Sequence, residues 1–305
     1  MKNVAKINLE IGKCSECPYC NNPEGSVNHY CAHDLKNPGI DVGNGEKVPD
    51  FCPFVLQRLK AVYDKMMSAN SGTIPTKFLN QIEKKQIDDP NPKFGADHGF
   101  KHAKRVYEYG EKFLFDMISH GLNTNNSIQK QQLLLSIAAR LHDIGLADSS
   151  RNHAIHSSEL AKKYLQPPKI DIDIQDACDI AHAIYNHSDG EDTRNFLDAA
   201  LLLGDKLDVT KERIIRVTEP ITAELLKVET VEFVILGRYQ TDRESGSVTG
   251  VELRYTTSGD NFKVSALSEW PKCISVPRRV AMDFLEVPFK FIVDGVEVDT
   301  KKLGV

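Results

Sequence analysis

Apolar residues recur at helical spacing through the middle of the chain and give way to alternation near its end. Val106, Tyr109, Phe113 and Met117 share one side of a helix that begins near Asp97. Leu133, Leu134, Ile137, Ala138 and Leu141 line a second helix, expected to stop at Gly145, where glycine can adopt a left-handed cap. SSELAKKYL is a short helix halted by Pro167-Pro168. DIQDACDIAHAIYNH and TRNFLDAALLLGDKLDV supply two more, and the near-continuous apolar centre of the last predicts a buried helix. Beyond about residue 230 the segments VEFVILGRY, VTGVELRYT and FKVSAL read as strands. PRRVAMDFLE between them reads as a helix, and FIVDGVEVD has the Asp-Gly signature of a tight hairpin.

The first stretch of chain lacks any such pattern. It is rich in Cys, Gly, Pro and Asn and reads as a small module held by something other than an apolar core. VLQRLKAVYDKMM and FLNQIEKKQ follow as helical segments, separated by SANSGTIPT and closed by the loop DDPNPKFG. The pattern predicts a mainly α protein: a Cys-rich metal-binding module over 1–55, a helical linker over 56–94, a helical core over 95–228 and a small α+β domain over 229–305.

Composition narrows the class. With 305 residues, 41% hydrophobic and 27% charged, the chain can bury a sizeable core. The net charge of −5 offers no basic footprint for nucleic-acid backbones, and no apolar run approaches a membrane span. MKNVAKINLEIGKC lacks the apolar centre of a secretory signal, so a cytoplasmic protein is expected.

The chemistry-bearing residues stand in or beside the helical segments. His98 and His102 are four apart, on one face if both are helical. His142-Asp143 ends an apolar helix, and Asp205 interrupts another in LLLGDKLD. A carboxylate buried there is costly without a cation. Taken singly, His29, His33, His98, His120, His156 and His182 read as structural or surface histidines. The joint occurrence of His102, His142, Asp143 and Asp205 points instead to a metal site with oxygen and nitrogen ligands.

Those residues resemble the HD superfamily of metal-dependent phosphohydrolases. The resemblance rests on His102 in HAKRV, His142-Asp143 in LHDIG, His153 in HAIHSSELA, His187 in AIYNHS and Asp205 in GDKLD. It covers roughly residues 95 to 215. It implies an all-helical core in which His102, His142, Asp143 and Asp205 hold one divalent ion (Mn, Fe, Mg, Ni or Zn). Asp143 could bridge to a second held by His153 and His187, with His182 as an alternative ligand. Such a centre activates water for attack on a small-molecule phosphate ester, with Asp143 catalytic and Lys206 and Arg105 or Arg140 neutralising phosphate charge. The ordinary alternative for these cations is a surface ion pair.

Two departures bear on substrate. Many members carry lysine after His-Asp-Ile-Gly, whereas Leu146 stands here, and HSDGEDTRNF lacks the Gly-Tyr-Pro of relatives that cleave cyclic dinucleotides. An iron-dependent oxygenase branch shares nearly the same ligands, and a non-catalytic sensing module is a third reading.

Five of the seven cysteines fall between Cys14 and Cys52, a clustering that favours metal over disulfides. Cys14, Cys17, Cys31 and Cys52 form the expected thiolate quartet with Cys20 spare, holding zinc in preference to an iron–sulfur cluster.

Overall fold

The computed structural model describes residues 20–21, 30–31, 40–41, 59–60, 74–88 and 96–304, the last range apart from 123–127, 149–151, 167–171, 189–191, 242–243 and 260. Contacts divide the chain into two units, Met1–Lys60 and Ala61–Val305. In the first, two-residue strands β1 (Cys20–Asn21), β2 (Tyr30–Cys31) and β3 (Ile40–Asp41) pair antiparallel in that order, with Cys20 opposite Cys31. Cys14, Cys17 and Cys52 of the expected quartet lie outside the described residues, as does the Cys31 side chain.

The second unit begins its described helices with α1 (Ile74–Asp88), α2 (Phe100–Ser119), α3 (Ile128–Leu141) and α4 (His153–Tyr164). These are followed by α5 (Ile174–Asn186), α6 (Phe196–Leu207) and α7 (Pro220–Leu225). Val106 and Leu114 of α2, Leu135 and Ile137 of α3, Ile180 of α5 and Leu203 of α6 have no exposed surface. Each such side chain contributes roughly 1.5–3 kcal/mol through burial. As its continuous apolar sequence predicts, α6 is a buried helix.

Small residues let α2 and α6 approach closely. A β-carbon on Gly110 would come 2.6 Å from the carbonyl oxygen of Ala200, and one on Gly204 would overlap that of Val106. The two glycines thus fix the crossing that carries His102 toward Asp205.

Within the stretch expected as a helical linker, α1 has Leu79 and Ile82 buried against Leu146 and Ala147, and Lys85 Nζ donates to the Ala147 carbonyl. Two expectations are corrected. Gly145 takes no left-handed cap; it lies in a 3₁₀ turn (Ile144–Ala147), where a β-carbon would meet the His153 carbonyl oxygen at 2.5 Å. FKVSAL is not a strand, because Val264–Glu269 is a 3₁₀ helix. Val264 and Leu267 stand three apart, the 3₁₀ repeat, and Leu267 is the buried residue of that turn.

The remaining strands form one sheet. β4 (Val228–Arg238) pairs antiparallel with β5 (Ser247–Thr257), β5 parallel with β6 (Phe289–Val293), and β6 antiparallel with β7 (Val296–Glu297). Asp294 (φ 48°) and Gly295 (φ 81°) make the expected tight turn between the last two. The apolar face meets the helices through Phe233, whose ring centre is 6.0 Å from that of Phe113. The parallel pairing needs a crossover, supplied by the 3₁₀ helix and by α8 (Lys272–Arg279), which touches α6.

Gly110→Ala is expected to destabilise the protein by about 1–3 kcal/mol, because backbone cannot yield at the crossing. Thermal denaturation checks this, and an unchanged midpoint would contradict the close-approach reading.

Candidate metal centre

Helix ends converge on one point. His102 lies in the first turn of α2, His142-Asp143 directly after α3, His153 at the first residue of α4, His187 just past α5 and Asp205 in the last turn of α6. The start of α2 is set by Asp97, whose carboxylate accepts the N–H of Gly99 at 2.8 Å and of His102 at 3.0 Å. The turn after α3 is held by Ser157, whose hydroxyl accepts the Gly145 N–H at 2.8 Å.

The donor atoms fall into two groups that share Asp143. In one, His102 Nε2 lies 3.1 Å from His142 Nε2 and 3.6 Å from Asp143 Oδ2; Asp205 stands outside both groups, with its Oδ1 3.3 Å from His102 Nε2. In the other, Nε2 atoms of His153 and His187 are 3.1 Å apart, and each is 3.5 Å from Asp143 Oδ1. The two oxygens of one carboxylate therefore face different imidazole pairs.

These residues fit divalent ions on physical grounds. His102 Nδ1–H donates to Asp208 Oδ2 at 2.6 Å, His142 Nδ1–H to the Ala139 carbonyl at 2.8 Å and His187 Nδ1–H to the Ile184 carbonyl at 2.5 Å. Each donation leaves Nε2 of the neutral ring with a lone pair, so the His102 and His142 lone pairs confront each other. Asp143 Oδ2 is buried and accepts no hydrogen bond. Facing lone pairs beside an orphaned carboxylate oxygen are unfavourable unless positive charge sits between them.

Without an ion, a protonated His142 would supply the positive charge instead: burial would raise the Asp143 carboxyl, but the charge of His142 and hydrogen bonds from His142 and His187 hold it well below the usual carboxylate range. For Asp205, burial is likewise overcome by Lys206, His102 and Arg213. Burial lowers His153 to about 4 and His98 to about 3, and it lowers His187 too. His142 shifts upward, since Asp143 outweighs its burial.

Not every expected residue arrives. His182 lies elsewhere: its Nδ1 is 3.1 Å from Asp198 Oδ1 and its Nε2 is 3.5 Å from Asp192 Oδ2, so it satisfies the buried Asp198. Arg105 stands behind His102, donating to Asp208 at 2.7 Å and to Asp97 at 3.4 Å. Arg140 lies over the Phe100 ring, 5.3 Å from its centre. His98 precedes α2, with Nδ1 2.9 Å from the Ala96 carbonyl oxygen.

Sequence reasoning missed Asp208 and Arg213. Asp208 orients His102 as outer carboxylates orient metal-binding histidines. Arg213 Nη1 donates to the carbonyls of Asp205 and Asp208 at 3.0 Å each. Their signal was the second acid of GDKLD and the basic residue beyond it.

A cleft of about 470 Å³ opens on this centre and is lined in part by His98, His153, Asp205, Lys206 and Arg213. Lys206 Nζ donates to Asp205 Oδ2 at 2.5 Å.

Residues 99–228 match the HD domain family. The match spans every histidine and carboxylate of the two donor groups, so His102, His142, Asp143, His153 and His187 form an HD-domain cluster fit for a divalent metal. Over 131 residues the chain is 30% identical to the uncharacterized protein MJ1020 of Methanocaldococcus jannaschii, an alignment covering 38% of this chain and 49% of that relative. The chain thus spans about half the length of the curated relative it matches. Among the described residues, no helix is long and apolar enough to cross a membrane.

Asp208→Asn is expected to weaken metal binding about 10–100-fold, because the outer carboxylate no longer orients His102. Isothermal titration with Mn²⁺ measures it, and parental affinity would remove Asp208 from the supporting role.

In chelator-treated protein, stability is expected to fall as pH drops from neutrality toward about 4.5. His98, His153 and His187 have folded values below the unfolded one, so their contribution is present above the unfolded value near 6.5 and lost below it. His142, raised, opposes this: its contribution is present below the unfolded value and lost as pH rises through the folded one. Urea midpoints that stay level from pH 7 to 4.5 would contradict the sign.

Proposed function

We propose that the protein is a metal-dependent phosphohydrolase acting on a small phosphate ester. The observation that carries this reading is the Asp143 carboxylate set between two imidazole pairs, 3.2 Å from His142 Nε2 on one side and 3.5 Å from His153 and His187 on the other. His102, His142, Asp143 and Asp205 would hold one ion, and Asp143, His153 and His187 a second. Divalent ions at such positions act as Lewis acids that lower the pKa of water toward neutrality and polarise a phosphoryl oxygen.

The chain's own residues would do the rest. Lys206, on the cleft wall, would neutralise phosphate oxygens, and Arg213, whose guanidinium is committed to the carbonyls of Asp205 and Asp208, adds positive charge behind it. Lys206 would take the place of the lysine many relatives carry after the His-Asp segment, since Leu146 here is buried against α1. Arg105 is assigned to positioning, because its guanidinium is committed to Asp208 and Asp97. In the net reaction, water adds its oxygen to phosphorus, the ester P–O bond breaks, and the alcohol leaves with a proton.

Asp143→Ala is expected to abolish both metal retention and release of orthophosphate. The check is elemental analysis of purified protein beside a phosphate-release screen of nucleotide and sugar phosphates, with circular dichroism to establish folding. Hydrolysis at the parental rate would overturn the assignment. Bound iron with substrate-dependent dioxygen consumption and no phosphate release would replace it by the oxygenase reading.

A further inference from the structure

The cleft wall is not made by the helical core alone. Trp270, Pro271, Lys272 and Cys273, from the crossover between β5 and β6, line the same cavity as His153, Asp205 and Lys206. Trp270 is the single tryptophan of the chain. Trp270 is half-buried and is one of the residues that line this cavity.

The backbone carrying the ring is held on both sides. The Trp270 N–H donates to the Leu267 carbonyl at 3.1 Å, and Leu267 has no exposed surface. On the other side, the Pro271 carbonyl accepts the N–H groups of Ile274 and Ser275 at 3.1 and 2.8 Å, and Cys273 and Ile274 are buried. Lys272 Nζ donates to the Ser188 carbonyl at 3.2 Å, which ties this segment to the residue after His187. The backbone that carries Trp270 is therefore held in place on the wall shared with His153 and Asp205.

One cavity thus combines a flat aromatic surface, apolar neighbours at Ala96, Leu146 and Val209, and the cations Lys206 and Arg213 beside metal-ligand residues. Its volume of about 470 Å³ lies within the range of roughly 300–1,000 Å³ typical of small-molecule sites. A ligand with a charged phosphate and a planar ring matches both kinds of lining at once. A plain sugar phosphate would leave the indole uncovered.

We propose that Trp270 is a ring-stacking wall of the substrate site, so that the phosphate ester processed here carries a flat aromatic group such as a nucleobase. The substrate class rests on the phosphohydrolase reading above. Stacking on an aromatic side chain is tolerant of base identity, so the proposal specifies a planar ring and leaves the base open.

The test uses the full chain with Mn²⁺ and the emission of Trp270, which needs no introduced label. AMP and adenosine are expected to quench that emission, and ribose 5-phosphate is not. Trp270→Leu is expected to lower kcat/KM for AMP relative to ribose 5-phosphate by about tenfold, with Trp270→Phe retaining most of the preference. Equal quenching by ribose 5-phosphate, or an equal loss for both esters in Trp270→Leu, would make Trp270 a packing residue and overturn the proposal. If AMP and adenosine quench but neither ester is hydrolysed, the ring site stands and the phosphohydrolase reading fails. If both esters are hydrolysed without base preference or quenching, the hydrolase reading stands and the ring site fails.

Discussion

Facing imidazole nitrogens impose the constraint around which this protein is built. His102 and His142 bring Nε2 atoms to 3.1 Å in a buried setting, and both rings have their Nδ1 protons committed elsewhere. The same spacing recurs between His153 and His187. The Asp143 carboxylate lies between the pairs and keeps its charge despite burial. Such an arrangement is repulsive by itself and becomes favourable when cations neutralise it, so the fold has to supply the energy that keeps the ligands together.

That energy comes from the packed helices behind the ligands. Each ligand stands at or near a helix end, where side chains can point into a shared space while the helix bodies remain buried. Supporting groups then fix the rings. Asp208 holds His102 and is itself neutralised by Arg105, and Arg213 staples the carbonyls of Asp205 and Asp208 at the end of α6. The close crossing at Gly110 and Gly204 sets the distance between the helices carrying His102 and Asp205. A small displacement there would reach the centre directly, since the carboxylate and imidazole are only 3.3 Å apart.

The C-terminal sheet changes meaning in this light. Its apolar face is buried against α2 through Phe113 and Phe233, and its crossover brings Trp270 and Lys272 to the cleft. Lys272 and the Ser188 carbonyl link that crossover to the end of the helix bearing His187. Residues of the helical core and of the C-terminal crossover thus line one cavity.

Local signals made much of this legible. The apolar periodicities of α2, α3 and α6 and the Asp294-Gly295 turn follow from spacing, because a helix face and a tight turn are properties of neighbouring residues, and the clustered residues His102, His142, Asp143, His153 and His187 follow from a motif resemblance. Which groups meet across the chain is a different matter. Asp208 and Arg213 were invisible as supports, since their partners are contacts made only after folding. His182 carried the same residue type as the ligands, yet packing turned it to Asp198. Gly145 was legible as a special position but for the wrong reason: the approach of α4, a long-range contact, excludes its side chain. The chain by itself therefore determined the elements and the kinds of donor atom. Tertiary packing decided which donors converge, what holds them and which tail residues close the cleft, because distances between remote segments are set by the buried surfaces that bring them together.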